Sequence, residues 1–278
     1  MLFLTLASID WTKIGLVVAI MVAIGLVFGL LIILISKFCV VKEDPKKAEV
    51  VALLSGANCG ACGYPGCDGF AAALVKGEVS IDECGATPKA NKIEICNVLG
   101  KTFSGKEETI AVVSCNGGVN CIDKFDYQGY GDCISQEILA KGRKECAVGC
   151  MGAGSCVDVC PNLAIECYDG YAHVDKDLCI SCGLCIKACP KKLIKRVPKS
   201  AKIYVACSTQ CKGKDVINMC KTGCISCGLC QKVCQYDAIH LINNVPIIDY
   251  SKCVACMSCY NKCPRKVIKL LKNESNPN

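Results

Sequence analysis

Cysteines in this chain arrive in threes, two residues apart, with a fourth at a distance, and the arrangement occurs twice. A shift of 74 residues, the distance from Cys133 to Cys207, lays Cys133, Cys146, Cys150, Cys156, Cys160, Cys179, Cys182, Cys185 and Cys189 on Cys207, Cys220, Cys224, Cys230, Cys234, Cys253, Cys256, Cys259 and Cys263 without a gap. Such self-similarity means two copies of one module in series. The single mismatch is Cys227, which falls on Ala153. With 29 cysteines and two histidines in 278 residues, three thiol chemistries compete. Disulfide scaffolds are short and secreted, and neighbours at C-x2-C-x2-C spacing cannot all pair with one another. Structural zinc sites are spaced as pairs of cysteines or as cysteine with histidine. Triplets with a distant fourth are the habit of [4Fe–4S] clusters.

A cubane has four irons, each needing one outer thiolate, and a short loop wraps only one side of it. In bacterial ferredoxins the cysteine that closes one run ligates the neighbouring run's cluster. Applied to the second copy, that rule assigns Cys224, Cys227 and Cys230 with Cys263 to one cluster, and Cys253, Cys256 and Cys259 with Cys234 to the other. Its one departure is Gln235, where proline is expected. In the first copy Cys179, Cys182 and Cys185 go with Cys160. The partner run there is stretched, and Cys146, Cys150 and Cys156 are assigned with Cys189, Cys146 replacing the thiol missing at Ala153. Upstream, NCGACGYPGCDGFAAALVKGEVSIDEC supplies a self-contained set of Cys59, Cys62, Cys67 and Cys84. Five clusters are expected. Cys115, Cys133, Cys207 and Cys220 are surplus and leave room for a sixth across the two copies, whereas Cys39, Cys96 and Cys167 read as packed thiols. His173 and His240 sit in strand-like runs. GCMGAGSC lacks the spacing of a dinucleotide loop, and no acid/base or nucleophile constellation stands out.

Residues 14 to 36 carry no charge and are bracketed by Lys13 and Lys37. At roughly 1.5 Å per residue they reach about 35 Å, enough to cross a hydrocarbon core of about 30 Å. The run exceeds a signal peptide's apolar region and no small-x-small cleavage site follows it. Lys37, Lys42, Lys46 and Lys47 follow the span, so the positive-inside rule expects a single pass with the cluster-bearing part in the cytoplasm of a cell (inner) membrane protein. The expected class is α+β: a transmembrane anchor (1–36), a linker (37–49), a small [4Fe–4S] unit (50–105), a first ferredoxin-like module with an N-terminal extension (106–200), a second (201–272) and a tail (273–278).

The formal charge is +7, concentrated in Lys191 to Lys202 and in Lys262, Arg265, Lys266, Lys269 and Lys272. Aromatics are only 6% and no nucleic-acid module is recognisable, so nucleic acid is not expected as a partner. An acidic protein or anionic lipid suits this charge better, and Lys191, Lys192, Lys195 and Arg196, beside the ligand Cys189, are the expected docking residues.

One apolar anchor, the NCGACGYPGC unit at 58–67, CAVGCMGAGSCVDVCP at 146–161 and two runs closing at Pro190 and Pro264 together resemble the B subunit of the Rnf complex, an ion-translocating ferredoxin:NAD⁺ oxidoreductase of bacterial and some archaeal membranes. One departure is CGATP at Cys84 to Pro88, where a typical member has CPPGG. The resemblance implies a subunit that exchanges electrons with soluble ferredoxin, relays them toward NAD-reducing and membrane redox subunits, meets the bilayer through one helix and makes no bonds itself. The alternatives are a membrane-tethered polyferredoxin serving a hydrogenase or heterodisulfide-reductase-type enzyme, and an iron–sulfur redox sensor.

Overall fold

A computed structural model describes residues 11–38, 44–105 and 107–271. Cys39, Lys42, Lys272 and the tail 273–278 lie outside the described residues. The chain divides into two compact units, Met1–Pro45 and Lys46–Asn278. In the first, helix α1 (Trp11–Phe38) contains a stretch, Ile14–Lys37, long and apolar enough to cross a membrane. Apolar side chains face outward all round it, Met21 and Leu26 included, the pattern of a helix meant for hydrocarbon rather than for a protein core.

The second unit begins with α2 (Pro45–Leu53), α3 (Gly66–Lys76) and α4 (Lys89–Leu99). Helix α3 stops at Gly77, whose φ of 79° lets its N–H and that of Glu78 turn back onto Leu74 and Ala73 carbonyls. A left-handed glycine there is the usual way to satisfy the last carbonyls of a helix. The three helices close round Val50, Phe70, Leu74 and Ile95, all at most 1% exposed.

Two modules of like design follow. The first has β1 (Thr109–Val113), α5 (Cys133–Ile138), α6 (Ser155–Asp158), the hairpin of β2 (Ile165–Tyr168) and β3 (Tyr171–Val174), α7 (Leu184–Ala188) and β4 (Ile194–Pro198). The second has β5 (Ile203–Val205), α8 (Lys214–Met219), α9 (Leu229–Lys232), the hairpin of β6 (Ile239–Ile242) and β7 (Val245–Ile248), α10 (Ser258–Lys262) and β8 (Ile268–Leu270). In each, the hairpin turns through two residues of positive φ, Asp169–Gly170 and Asn243–Asn244, as the twist of a two-residue β-hairpin demands. The outer strands pair antiparallel, β1 with β4 and β5 with β8.

The duplication is cleaner in space than in sequence, and at one point it differs. Val113 pairs with Ile194 as Val205 pairs with Ile268, and Ser114 donates to Leu193 O as Ala206 donates to Val267 O, both at 2.8 Å. Cys115, one residue on, is therefore the structural counterpart of Cys207. The gapless alignment that laid Cys133 on Cys207 does not hold there: the true offset is 92 residues, from Cys115 to Cys207, and the first copy carries an insertion that includes Cys121 and Cys133.

The first Fe–S unit meets the first module by close backbone approach. A Cβ on Gly85 would run into the Ser181 carbonyl oxygen, while Lys187 reaches across to Ala61 O at 3.0 Å. This explains the glycine in CGATP: no side chain fits between Cys84 and the ligand loop it faces. Gly85→Ala is expected to destabilise the protein by about 1–3 kcal/mol, the cost of forced overpacking. Gly131→Ala, where nothing lies within 4 Å, should leave the midpoint unchanged. Thermal unfolding of the two variants side by side checks this.

Candidate metal centres

The loops that carry the cysteine runs share one backbone device. Residues flanking the second position of each run have positive φ: Gly152 and Gly154, Ser181 and Gly183, Ser226 and Gly228, Ala255 and Met257. These pairs are related by the duplication, and each places the third cysteine on the first turn of α6, α7, α9 or α10. Left-handed backbone at Ser, Ala and Met costs free energy and persists only where surroundings over-determine it. Here it makes the chain curl so that successive thiols face one centre. The closing cysteines share a second device. Cys160, Cys189, Cys234 and Cys263 each accept a hydrogen bond at sulfur from the N–H four residues on, at 3.3, 3.5, 3.3 and 3.4 Å. Gln235 in place of proline leaves this turn intact. N–H donors aimed at thiolates stabilise added negative charge, one of the levers on cluster potential.

Most of the sets assigned from spacing stand together. Cys234, Cys253, Cys256 and Cys259 line one cavity. Burial pushes the Cys230 thiol up to about 11, and Cys263 and Cys227 raise it further; Cys224 is raised in the same way, with Cys230, Cys263 and Cys227 beside it. Burial likewise pushes Cys185 up to about 12, with Cys179, Cys182 and Cys160 adding to it. Such thiols hold their protons at neutral pH in the metal-free chain, so iron has to displace them. In the first Fe–S unit, Cys62, Cys67 and Cys84 border one apolar cluster, burial raises the Cys59 thiol, with Cys182 and Cys84 adding to it, and Asn58 holds the loop by accepting the Cys67 N–H at 2.8 Å.

The stretched run is arranged differently from the sequence reading. One cavity is lined by Cys133, Cys150, Cys156 and Cys189, and Cys146 is not part of it. Cys133 comes from the insertion: Asp132 caps α5 by accepting the Ser135 N–H at 2.5 Å, and the Cys133 N–H is tied to Ser155 Oγ at 2.9 Å, next to Cys156. Cys133 thus stands where Ala153 leaves a thiol missing. Spacing misled here because an insertion brought Cys133 into the 74-residue frame of Cys207. The clue was in TIAVVSC and KIYVAC, two strand-plus-cysteine segments that match only when a gap is allowed. Cys146 opens instead onto a second cavity, with Cys115, Cys121, Cys150, Cys207 and Cys220. Cys96 is buried among the first unit's apolar residues, Cys167 lies against Cys156, and Cys211 is exposed.

Among the described residues no three Cys, His, Asp or Glu side chains converge closely enough for a single metal ion. Tetrahedral zinc, at about 2.3 Å from each sulfur, needs that convergence, whereas a cubane needs thiols set back around a larger space. The cysteine-lined cavities have that form.

Comparison with known proteins agrees. A "Putative Fe-S cluster" family model matches residues 54–85, a "4Fe-4S binding domain" model 172–195 and a "4Fe-4S dicluster domain" model 223–268. The B subunit of the Na(+)-translocating ferredoxin:NAD(+) oxidoreductase complex of Acetobacterium woodii is 41% identical over 253 residues, 90% of this chain and 76% of that protein. The B subunit of the ion-translocating oxidoreductase complex of Methanosarcina acetivorans is 36% identical over 91% of this chain and 97% of its own length. The proton-translocating counterpart of Clostridium ljungdahlii is 35% identical over 92% of each. The chain belongs to this family of B subunits. It is an iron–sulfur electron-transfer protein with [4Fe–4S] clusters, and the polyferredoxin and sensor alternatives fall away.

In this family member, two of the basic residues beside Cys189 are bound to the loops around them. Lys191, with only 5% of its side chain exposed, pairs with Glu137 and donates to Lys141 O at 2.6 Å and Ala147 O at 2.7 Å. Arg196 donates to Ser181 O and Cys182 O, both at 3.2 Å. Lys191 is therefore not a free surface cation, whereas Lys192, Lys195 and Arg196 are exposed and form what is left of the expected docking group.

Cys133→Ala should therefore lower iron by about four per chain, with Cys96→Ala and Cys167→Ala unchanged. Parallel iron and sulfide analysis of anaerobically purified protein reads this directly. Equal loss from all three would refute the division between ligand and packed thiol.

Proposed function

We propose that this chain takes electrons from, or returns them to, a soluble ferredoxin in the cytoplasm and relays them to other subunits of a membrane ion-translocating ferredoxin:NAD⁺ oxidoreductase complex, to which α1 anchors it as a single pass. The observation that carries this reading is the adjacency of cysteine sets within one compact unit attached to a membrane-length helix. The thiols of Cys59 and Cys182 are close enough to influence each other, which supports contact between the first unit's centre and the first module's. Each [4Fe–4S] cluster would supply one-electron redox chemistry without bond making. The protein's own contribution is to hold thiolates, aim N–H donors at them and exclude water.

The ligand sets in this proposal are Cys59, Cys62, Cys67 and Cys84; Cys160, Cys179, Cys182 and Cys185; Cys133, Cys150, Cys156 and Cys189; Cys224, Cys227, Cys230 and Cys263; and Cys234, Cys253, Cys256 and Cys259. Lysines after the span, Lys37, Lys46 and Lys47, favour the cytoplasmic side for this part.

Lys192 and Lys195, close in sequence to Cys189, offer positive charge to an acidic carrier. Long-range steering weakens as salt shortens the screening length from about 10 Å at 0.1 M. Electron exchange between the full-length chain and reduced ferredoxin, followed by stopped flow, should slow as ionic strength rises. Lys192→Glu with Lys195→Glu should slow it further and flatten the salt dependence at unchanged iron content. A salt-independent rate would remove the docking surface from the proposal.

A further inference from the structure

Both ferredoxin-like modules tie down their closing cysteines in one way, with a backbone N–H from the residue four positions on. Ala164 donates to Cys160, Leu193 to Cys189, Ala238 to Cys234 and Val267 to Cys263. In the first Fe–S unit the closing cysteine is Cys84, and four positions on stands Pro88. Proline has no N–H to give. A side chain takes that place: Thr87 Oγ1 lies 3.2 Å from Cys84 Sγ, and Thr87 is only 2% exposed.

In the metal-free thiol either atom is able to donate. A cysteine that ligates iron has lost its proton and only accepts, so the Thr87 hydroxyl is then the donor. We propose that Thr87 is a positioning residue for electron transfer, whose hydroxyl donates to the Cys84 thiolate and holds up the reduction potential of the first unit's centre. The inference rests on the assignment of Cys59, Cys62, Cys67 and Cys84 to one centre. An arriving electron adds one negative charge, part of it on the outer sulfurs, and a donor aimed at one of those sulfurs stabilises the reduced form more than the oxidised form. No bond is made or broken, and the proton stays on Thr87.

The local sequence holds the hydroxyl in place. Pro88 disfavours helical backbone at Thr87, and the two heavy atoms on the threonine Cβ restrict its χ1. Pro88 is also the N-cap of α4, whose Ile95 and Cys96 are buried in the unit's core. At the other end of the turn Gly85 is pressed against the Ser181 carbonyl oxygen, and between them Ala86 is buried in the same core. Burial matters because a hydrogen bond away from water is electrostatically stronger and has no solvent to replace it. Ser258, 3.5 Å from the exposed Cys256, is the surface counterpart, where water is at hand to take over a lost hydroxyl. The consequence falls on the relay. Cys59 and Cys182 are close enough to influence each other, so the potential of the first unit's centre bears on whether an electron passes into that unit from the first module or out of it.

The test uses the full chain, purified without oxygen in detergent, with iron measured beside an EPR-monitored reductive titration. Cys84→Ala should lose about four iron. Cys84→Ser, which keeps an oxygen donor, should alter one EPR component and so mark the first unit's centre. Thr87→Val, which exchanges the hydroxyl for a methyl of like size, should lower the midpoint potential of that component at unchanged iron content, and Thr87→Ser should restore it. Ser258→Ala should lower a different component by less. An unchanged or raised potential in Thr87→Val overturns the proposal. So does a potential in Thr87→Ser as low as in Thr87→Val, which would assign the effect to packing, and so does loss of about four iron from Thr87→Val. Unchanged iron in Cys84→Ala with an unchanged spectrum in Cys84→Ser refutes the ligand set itself, and the inference with it.

Discussion

Everything in the second unit answers to one demand, that four thiolates reach a cubane from directions no single loop can span. The curled runs with left-handed residues supply three, and a cysteine from elsewhere must arrive on the open side. That requirement fastens the end of one run to the start of the other and brings β4 back onto β1 and β8 back onto β5. Conventional packing is thin by comparison. The first module's core consists of Ala111, Val113, Ile165, Ala172 and Ile194 completed by Cys156 and Cys185, and the second's of four isoleucines and Cys259. So few apolar side chains bury little area at about 25 cal/mol per Å². Ligation is therefore part of folding, as in other small metal-bound domains.

The same demand explains where the basic residues go. Thiolate-ligated cubanes carry net negative charge, and buried charge needs compensation. Arg196 and Arg265 place positive charge there by donating to carbonyls of the cysteine-bearing loops rather than to the thiols themselves, whereas Lys144 and Lys191, which donate likewise, are paired with Asp123 and Glu137. All four satisfy backbone acceptors in turns that have no ladder to join. A charge run read in one dimension looks like a solvated face. In three dimensions the Lys191 side chain is enclosed against the cysteine loops, while Lys192, Lys195 and Arg196 stay exposed.

What the sequence made legible follows from what repeats with a fixed period. The hairpins, the curled runs and the closing cysteines all obey the 74-residue shift, because each is a local structure whose spacing is set by its own turn. The span Ile14–Lys37 was equally plain, since absence of charge over that length has few other meanings. Illegible was the part where contact is non-local. Cys133 falls in register with Cys207 only because an inserted segment brings it there, and the true counterpart, Cys115, emerges only when a gap is allowed between TIAVVSC and KIYVAC. A ligand contributed by an insertion has no spacing rule, so Cys133 and Cys146 exchanged places between the one-dimensional and the three-dimensional assignment.

Duplication also does something that neither copy could do alone. A ferredoxin-like module is self-sufficient for two centres, and two such modules joined by a linker would be two separate carriers. Here Ile122 donates to Met219 O at 3.0 Å and Cys121 bridges to Cys220, so the insertion that supplies Cys133 to the first module also stitches it to the second. Ala153, opposite Cys227, and the insertion that carries Cys133 occur together in this chain, and the inserted segment occupies the seam between modules. The contacts that hold the two modules together, Ile122 N–H to Met219 O among them, thus come from the irregular copy.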